Sequence, residues 1–168
     1  LCAVLITGAL AGRLTDRPWR LLIVGDGPAA PDVRETFAGL EARITWLGAL
    51  EEPALANTYR AADLLVWPAV REAFGMALLE AQASGLPVVA GKTDGVPAVV
   101  SDGKTGLLPP PGDTGAFADA AASLLDDPAR REAMGQAARA RVLRHHSLVA
   151  AARQLDHILT EATCRSSA

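Results

Sequence analysis

Cysteine, aromatic residues and long apolar runs are scarce in this sequence of 168 residues, and each scarcity excludes a class of protein. The two cysteines, Cys2 and Cys164, are too few for a disulfide framework and indicate a reducing compartment. Aromatic residues make up 4% of the chain, too little for a platform that stacks single-stranded bases. No apolar run reaches the length of a membrane span, so we do not expect a transmembrane helix.

Positive charge is also in short supply, since 16 Lys and Arg stand against 19 Asp and Glu and no basic run occurs. This balance argues against a nucleic-acid partner. Hydrophobic residues make up 50% of the chain, enough for a buried core, and the length is that of one domain. We therefore predict a single domain over residues 1–168. Because the sequence begins at Leu1 without a charged leader, we interpret it as a fragment of a longer chain.

Short apolar runs closed by Gly or Pro recur along the first two thirds of the chain. They lie at 21–25, 44–48, 64–68, 87–91 and 106–109. Because they do not alternate with polar residues, they indicate strands buried on both faces of a parallel sheet. Helix-like segments separate the first four runs, at about 29–40, 51–61 and 76–85, and three more follow, at about 113–127, 129–144 and 147–161. The fold class is α/β: a Rossmann-like parallel sheet with helices on both faces and a helical C-terminal tail.

The segment 66–81 is the most informative, because ligands of such sheets bind beyond the carboxyl ends of the strands. A predicted strand ends at Pro68, and Gly75 opens a helix. The first amides of that helix, those of Met76, Ala77 and Leu78, are expected to be free. Free amides at a helix N-terminus favour an anion such as phosphate.

Two carboxylates, Glu72 and Glu80, bracket this predicted anion site. A carboxylate repels phosphate but accepts hydrogen bonds from vicinal hydroxyls, so the pair fits a ligand that carries both phosphates and sugars. A nucleotide sugar has that chemistry. Two Glu eight residues apart are also common on solvated surfaces, and the spacing alone leaves that alternative open.

The string EAFGMALLEAQASGLPVV, residues 72–89, resembles a family signature. It is similar to the E-x7-E motif and the following EAxAxGxPVV run of the retaining GT-B glycosyltransferases of family 4, the glycosyl transferases group 1. Further matches follow the family order as far as Ser147. They lie at 22–28, 46–48, 59–63, 101–108 and 111–113.

The resemblance implies one half of a GT-B fold and a role for particular residues. Glu80 would bind the ribose hydroxyls of the nucleotide, and Glu72 would lie beside the donor sugar near the reacting carbon as the catalytic residue, either nucleophile or polar support. The backbone around Gly48 and Leu50 would border the base. The amides that would meet the sugar and the diphosphate are those of Phe74, Gly75, Met76 and Ala77.

The implied activity is transfer of a glycosyl unit, of the hexosyltransferase type, from a nucleotide diphosphate sugar to an acceptor with retention of configuration, in carbohydrate biosynthesis. The resemblance implies no metal and no other cofactor. It implies an N-terminal Rossmann domain of the same protein as partner, so the isolated fragment is expected to be inactive. It also implies a cytoplasmic location, with peripheral association of the full-length protein at the inner face of the membrane as an option.

Two alternatives stay open at this point. The chain is either such a transferase domain or a non-catalytic nucleotide-binding or interaction module of the same fold. Within enzymes, a GT-B sugar-nucleotide epimerase or a phosphorylase is the other alternative. The retained Glu72 and Glu80 favour the transferase.

The sequence departs from the family pattern in three places. The first strand of the domain, with its diphosphate-clamping Arg and Lys, would lie before Leu1. Ala98 replaces the usual Glu, and Ala69 replaces a frequent Ser.

Other candidate site residues have weaker support from the sequence. Arg71, Lys92 and Lys104 fit a phosphate contact less well than a solvated surface role. The adjacent His145 and His146 point in different directions on a helix and do not predict a metal site.

Overall fold

The computed structural model describes residue 14 and residues 16–166, with side chains as far as residue 161, and shows strands alternating with helices. The strands are β1 (Leu21–Val24), β2 (Ile44–Gly48), β3 (Leu65–Trp67), β4 (Val88–Ala90) and β5 (Gly106–Leu107). The helices are α1 (Ala30–Thr36), α2 (Glu52–Ala61), α3 (Met76–Ala83), α4 (Val96–Val99), α5 (Thr114–Leu125), α6 (Pro128–His145) and α7 (Leu148–Ser166). A 3-10 turn, Glu41–Arg43, precedes β2. The predicted α/β order and helical tail are confirmed. Cys2 and the side chain of Cys164 lie outside the described part.

All strand pairs of the described chain are parallel, as predicted. Leu21 pairs with Ile44, Leu65 with Val88, and Val88 also with Gly106. The hydrogen bonds fall into two sheets, β1-β2 and β3-β4-β5, rather than one, because no described strand bonds to both β1 and β3. One edge of β1 and one edge of β3 therefore lack a strand partner among the described residues.

Strand β4 lies at the centre of the core, with all three of its residues at 0% exposure. Val88 and Ala90 pack into one cluster with residues of α3 and α4, such as Leu78 and Val99. Val89 points to the other face, where α5 and its Phe117 cover it. This alternation follows from the two-residue period of a strand and places helices on both faces of the sheet, as predicted.

The other sheet corrects the expectation that every strand is buried on both faces. In β1, Leu22 and Val24 are exposed whereas Leu21 and Ile23 are partly covered. A two-stranded sheet offers little surface for a second covering layer, so its residues alternate between a covered and a wet face.

Helix α1 ends earlier than the predicted limit near residue 40. Gly39 adopts a φ of 86°, in the left-handed region where a helix cannot continue. The amides of Phe37 and Ala38 close the last turn on Arg34 and Glu35. The limits of α2, α3, α5 and α6 agree with the predictions to within about two residues, whereas α7 continues beyond its predicted end near residue 161 to Ser166, and α4 was not predicted. Asp113 and Asp127 accept hydrogen bonds from the amides of Ala116 and Arg130, as N-caps do.

Helix α7 exposes an apolar surface. Its exposed apolar residues are Leu148, Val149, Leu155, Ile158 and Leu159. They recur at helical spacing along the helix. None of the described helices combines the length and the apolar character needed to cross a bilayer.

Helix α6 packs against the turn between α3 and β4 through Gly135. A methyl group at this position would overlap the carbonyl oxygen of Gly85 and would lie 3.3 Å from Cδ of Pro87. The missing side chain therefore allows α6 to lie close to the core.

We predict that Gly135→Ala lowers the free energy of unfolding by about 1–3 kcal/mol, because α6 must move away from Gly85. In an unpacked helix the same change would stabilise by about 1 kcal/mol. Denaturant unfolding followed by circular dichroism measures the difference. Gly27→Ala is the matched control, because no atom lies within 4 Å of an added methyl there. A Gly135→Ala protein as stable as the wild type would contradict this account of the packing.

Candidate functional site

The loop between β3 and α3 ends at Gly75, the residue that starts the helix. Gly75 has a φ of 87° and a ψ of 55°, a left-handed conformation that other residues rarely adopt. A Cβ atom there would lie 2.8 Å from Cδ1 of Leu78. Both the backbone conformation and the available space thus require glycine, and the predicted start of α3 at Met76 is confirmed.

The carboxylate of Glu72 holds this loop in place. Its Oε2 accepts a hydrogen bond from Nε1 of Trp67, at the end of β3, over 3.1 Å. Its Oε1 accepts a hydrogen bond from the amide of Gly75 over 3.0 Å. Hydrogen bonds to a charged acceptor are stronger than those between neutral groups. Glu72 is therefore a half-buried group that connects the strand end to the helix start, and not a solvated surface residue.

Two amides at the start of α3 remain available to a ligand. Those of Met76 and Ala77 form no hydrogen bond with any described residue. The expectation that Leu78 is free as well is wrong, because its amide donates to the carbonyl oxygen of Gly75 over 3.0 Å. The Gly75 amide is already bonded to Glu72. The side chain of Met76 is 59% exposed and that of Phe74 is also exposed, so this helix end faces solvent.

The loop after β4 packs against the loop after β3 through two glycines, Gly91 and Gly95, whose contacts the sequence does not reveal. A Cβ atom at Gly91 would overlap the carbonyl oxygen of Ala69, and one at Gly95 would overlap that of Ala73. The amide of Gly95 also donates to the backbone oxygen of Glu72 over 3.0 Å. The only sequence signal was the presence of glycines after a buried strand, which does not say what they contact.

Glu80 lies on the exposed face of α3, one turn beyond the free amides. Its Oε2 accepts a hydrogen bond from the hydroxyl of Tyr59, on α2, over 3.3 Å. Burial, followed by the charge of Glu80 and this hydrogen bond, raises the pKa of Tyr59 to about 12. The phenol therefore stays protonated near neutral pH and can donate to Glu80. The other carboxylate oxygen of Glu80 has no partner among the described side chains and remains open to a ligand hydroxyl.

Gly48 ends β2, and Leu50 lies in the loop that follows. Gly48 has a φ of 66°, and its carbonyl oxygen accepts a hydrogen bond from the amide of Gly25 over 2.8 Å. The turns that follow β1 and β2 are thus joined. No hydrogen bond of the described residues connects Gly48 or Leu50 directly to the segment 72–80. The link runs through α2, which begins two residues after Leu50 and carries Tyr59.

Basic side chains contribute little to this end of the described structure. Lys92 lies 3.8 Å from Asp102 as an exposed ion pair, and Arg71 is exposed. Across residues 14 and 16–166, no group of three or more His, Cys, Asp or Glu side chains is placed to hold a metal ion. The described part of the site therefore consists of backbone amides and two fixed carboxylates.

Known proteins resemble this chain in sequence. The sequence model of the glycosyl transferases group 1 family matches residues 4–127. The chain is 40% identical over 161 residues to D-inositol 3-phosphate glycosyltransferase of Corynebacterium efficiens, covering 92% of this chain and 38% of that protein.

Solved structures show the same fold. Sucrose-phosphate synthase from Thermosynechococcus elongatus superposes with a TM-score of 0.82 at 30% identity, over 97% of this chain and 42% of the other. HepE of Anabaena in complex with UDP-glucose superposes with a TM-score of 0.80 at 25% identity, over 94% of this chain and 44% of the other. The chain thus spans less than half the length of these relatives.

The contact between Tyr59 and Glu80 can be tested by titration, because Tyr59 is the only tyrosine of the chain. We predict that tyrosinate absorbance has its midpoint at about pH 12 in the wild type. Glu80→Gln removes the negative charge beside the phenol, so the midpoint moves down toward the ordinary value. It stays above that value because burial is the larger cause of the shift.

Glu52→Gln, on the exposed start of the same helix as Tyr59, is the control and should leave the midpoint unchanged. Equal midpoints for the wild type and Glu80→Gln would show that the two side chains are not in contact.

Proposed function

We propose that this chain, which belongs to the glycosyl transferases group 1 family, is the donor-binding half of a glycosyltransferase. In this proposal the chain binds a nucleotide diphosphate sugar at the start of α3. The intact protein then transfers the glycosyl unit to an acceptor with retention of configuration. An N-terminal domain outside this chain supplies the acceptor site across a cleft.

The observation that carries the proposal is the pair of open amides at Met76 and Ala77. They lie at the positive end of the α3 dipole, on a loop whose conformation is fixed by Glu72 and by Gly95. A diphosphate accepts hydrogen bonds from such amides and is stabilised further by the dipole. The same groups would stabilise the departing diphosphate during transfer, because the amides are held in position before the reaction starts.

In this proposal, Glu80 binds the ribose of the nucleotide. One of its oxygens is held by Tyr59, and the other accepts no hydrogen bond from a described side chain, on a residue that is exposed. A carboxylate fixed in this way accepts hydrogen bonds from vicinal hydroxyls without first losing side-chain entropy. Gly48 and Leu50, on the neighbouring loop, would border the base in this proposal.

Glu72 acts in this proposal as a positioning residue for the donor loop rather than as a nucleophile. Both of its oxygens already accept hydrogen bonds, from Trp67 and from Gly75. A carboxylate occupied in this way is less available to attack the sugar. This arrangement favours transfer on one face of the sugar, in which the bond to diphosphate breaks and the acceptor oxygen bonds to the same face. The leaving diphosphate oxygen would take the proton of the acceptor hydroxyl.

The test is a calorimetric titration with UDP, GDP and ADP. UDP is the first choice, since HepE of Anabaena was solved with UDP-glucose. We expect one of the three nucleotides to bind, and Glu80→Ala to weaken its affinity roughly 10- to 100-fold, the range for hydrogen bonds to a charged group.

Glu35→Ala is the control, because Glu35 is an exposed carboxylate of α1 that forms no ion pair with a described residue. It should bind like the wild type. The same titrations on the full-length protein establish whether the preceding segment adds affinity. Equal nucleotide affinity for the wild type and Glu80→Ala in both proteins would refute the donor-site assignment.

A further inference from the structure

A second concave region lies between the C-terminal half of α6 and the turn formed by residues 101–105. It is an open cavity of about 390 Å³. None of the residues that line it belongs to the loops that carry Glu72, Glu80 or the open amides. The cavity is therefore separate from the proposed donor site.

One stripe of α6 forms a wall of the cavity. The stripe begins with two alanines at positions 137 and 140 and continues with Arg141, Arg144 and His145. These positions recur at three and four residues, so they share one face of the helix. The small alanines leave the space open, and the basic residues follow at one end. Val142, on another face of α6, packs into the core and fixes the rotation of the helix.

The opposite wall is a rigid turn that carries Lys104. The hydroxyl oxygen of Thr105 accepts a hydrogen bond from the amide of Ser101 over 2.9 Å. The amides of Lys104 and Thr105 both donate to the carbonyl oxygen of Ser101, over 3.0 and 2.9 Å. Thr105 is only 3% exposed. The position of Lys104 is therefore set by a closed hydrogen-bond pattern.

Positive charge is concentrated at the cavity, and no acidic side chain in the lining balances it. Lys104, Arg141 and Arg144 line it, and no carboxylate does. None of the three forms an ion pair with a described residue. Arg141 donates from Nη2 to the backbone oxygen of Ala98 over 2.9 Å, but its Nε is buried and has no hydrogen-bond partner.

The positive charge of this region also affects the neighbouring His146. Burial first, and then the charges of Arg141 and His145, lower its pKa. Cations in the last turn of a helix also interact favourably with the negative end of its dipole. That effect accounts for Arg144 and His145, which lie in the last turn. It does not account for Arg141, one turn earlier, or for Lys104, which comes from a different element.

We propose that this cavity binds the phosphate group of a phosphate monoester. Guanidinium groups bind phosphate oxygens through parallel hydrogen bonds, and Lys104 adds a point charge from the opposite wall. The ligand is either a small soluble phosphate ester or the headgroup of a lipid with the same monoester. The site does not depend on nucleotide-sugar binding.

Calorimetry with glycerol 3-phosphate, and sedimentation with phosphatidylcholine vesicles that contain phosphatidic acid, test the proposal and separate the two sources. We expect saturable binding in at least one of these assays. The double variant Lys104→Gln, Arg144→Gln should weaken it at least about tenfold, since two charge-assisted contacts are lost. Both side chains are exposed, so the variant keeps the core intact.

Arg139→Gln is the matched control, because Arg139 is an exposed cation of α6 that does not line the cavity. It should bind like the wild type. Titration with UDP, run in parallel, should be unchanged by the double variant, which separates this site from the donor site. Absence of binding in both assays, or binding that the double variant retains in full, would overturn the proposal.

Discussion

The carboxylate of Glu72 is the group on which the rest of the candidate site depends. By accepting one hydrogen bond from Trp67 and another from Gly75, it fixes the distance between the end of β3 and the start of α3. Gly75 can then hold its left-handed conformation, and the amides of Met76 and Ala77 are left without a hydrogen-bond partner among the described residues. The charge of Glu72 is directed at the loop itself, so the loop presents amides and not a carboxylate to an incoming anion.

Close packing of backbone against backbone supports this arrangement. Gly91 and Gly95 allow the loop after β4 to contact the carbonyl groups of Ala69 and Ala73, where any side chain would intrude. The buried Gln82 connects the helices behind the loops, since its Nε2 donates to the carbonyl oxygens of Leu78 and Val99 over 3.1 Å each. The site is thus preorganised by contacts that involve few functional side chains.

Local patterns in the sequence were sufficient to predict much of this. The apolar runs identified all five strands of the described residues, Gly75 marked the start of α3, and the spacing of Glu72 and Glu80 indicated the candidate site. Contacts between distant segments were not predictable. The partners of Gly91 and Gly95, the bond from Tyr59 to Glu80, the division into two sheets and the convergence of Lys104 with Arg141 all depend on the tertiary arrangement. The prediction that the Leu78 amide is free was wrong, because the carbonyl oxygen of Gly75 accepts its hydrogen bond, and residue spacing does not reveal that contact.

The central claim is that the amides of Met76 and Ala77 form the contact with the diphosphate. Proton–nitrogen correlation spectra of the labelled chain, recorded during titration with UDP, test it most directly because each backbone amide reports separately. The account predicts that the signals of Met76 and Ala77 shift the most, while those at the cavity beside α6, such as Thr105, stay in place. If UDP binds and the Met76 and Ala77 signals do not move, the donor site lies elsewhere and the account is contradicted.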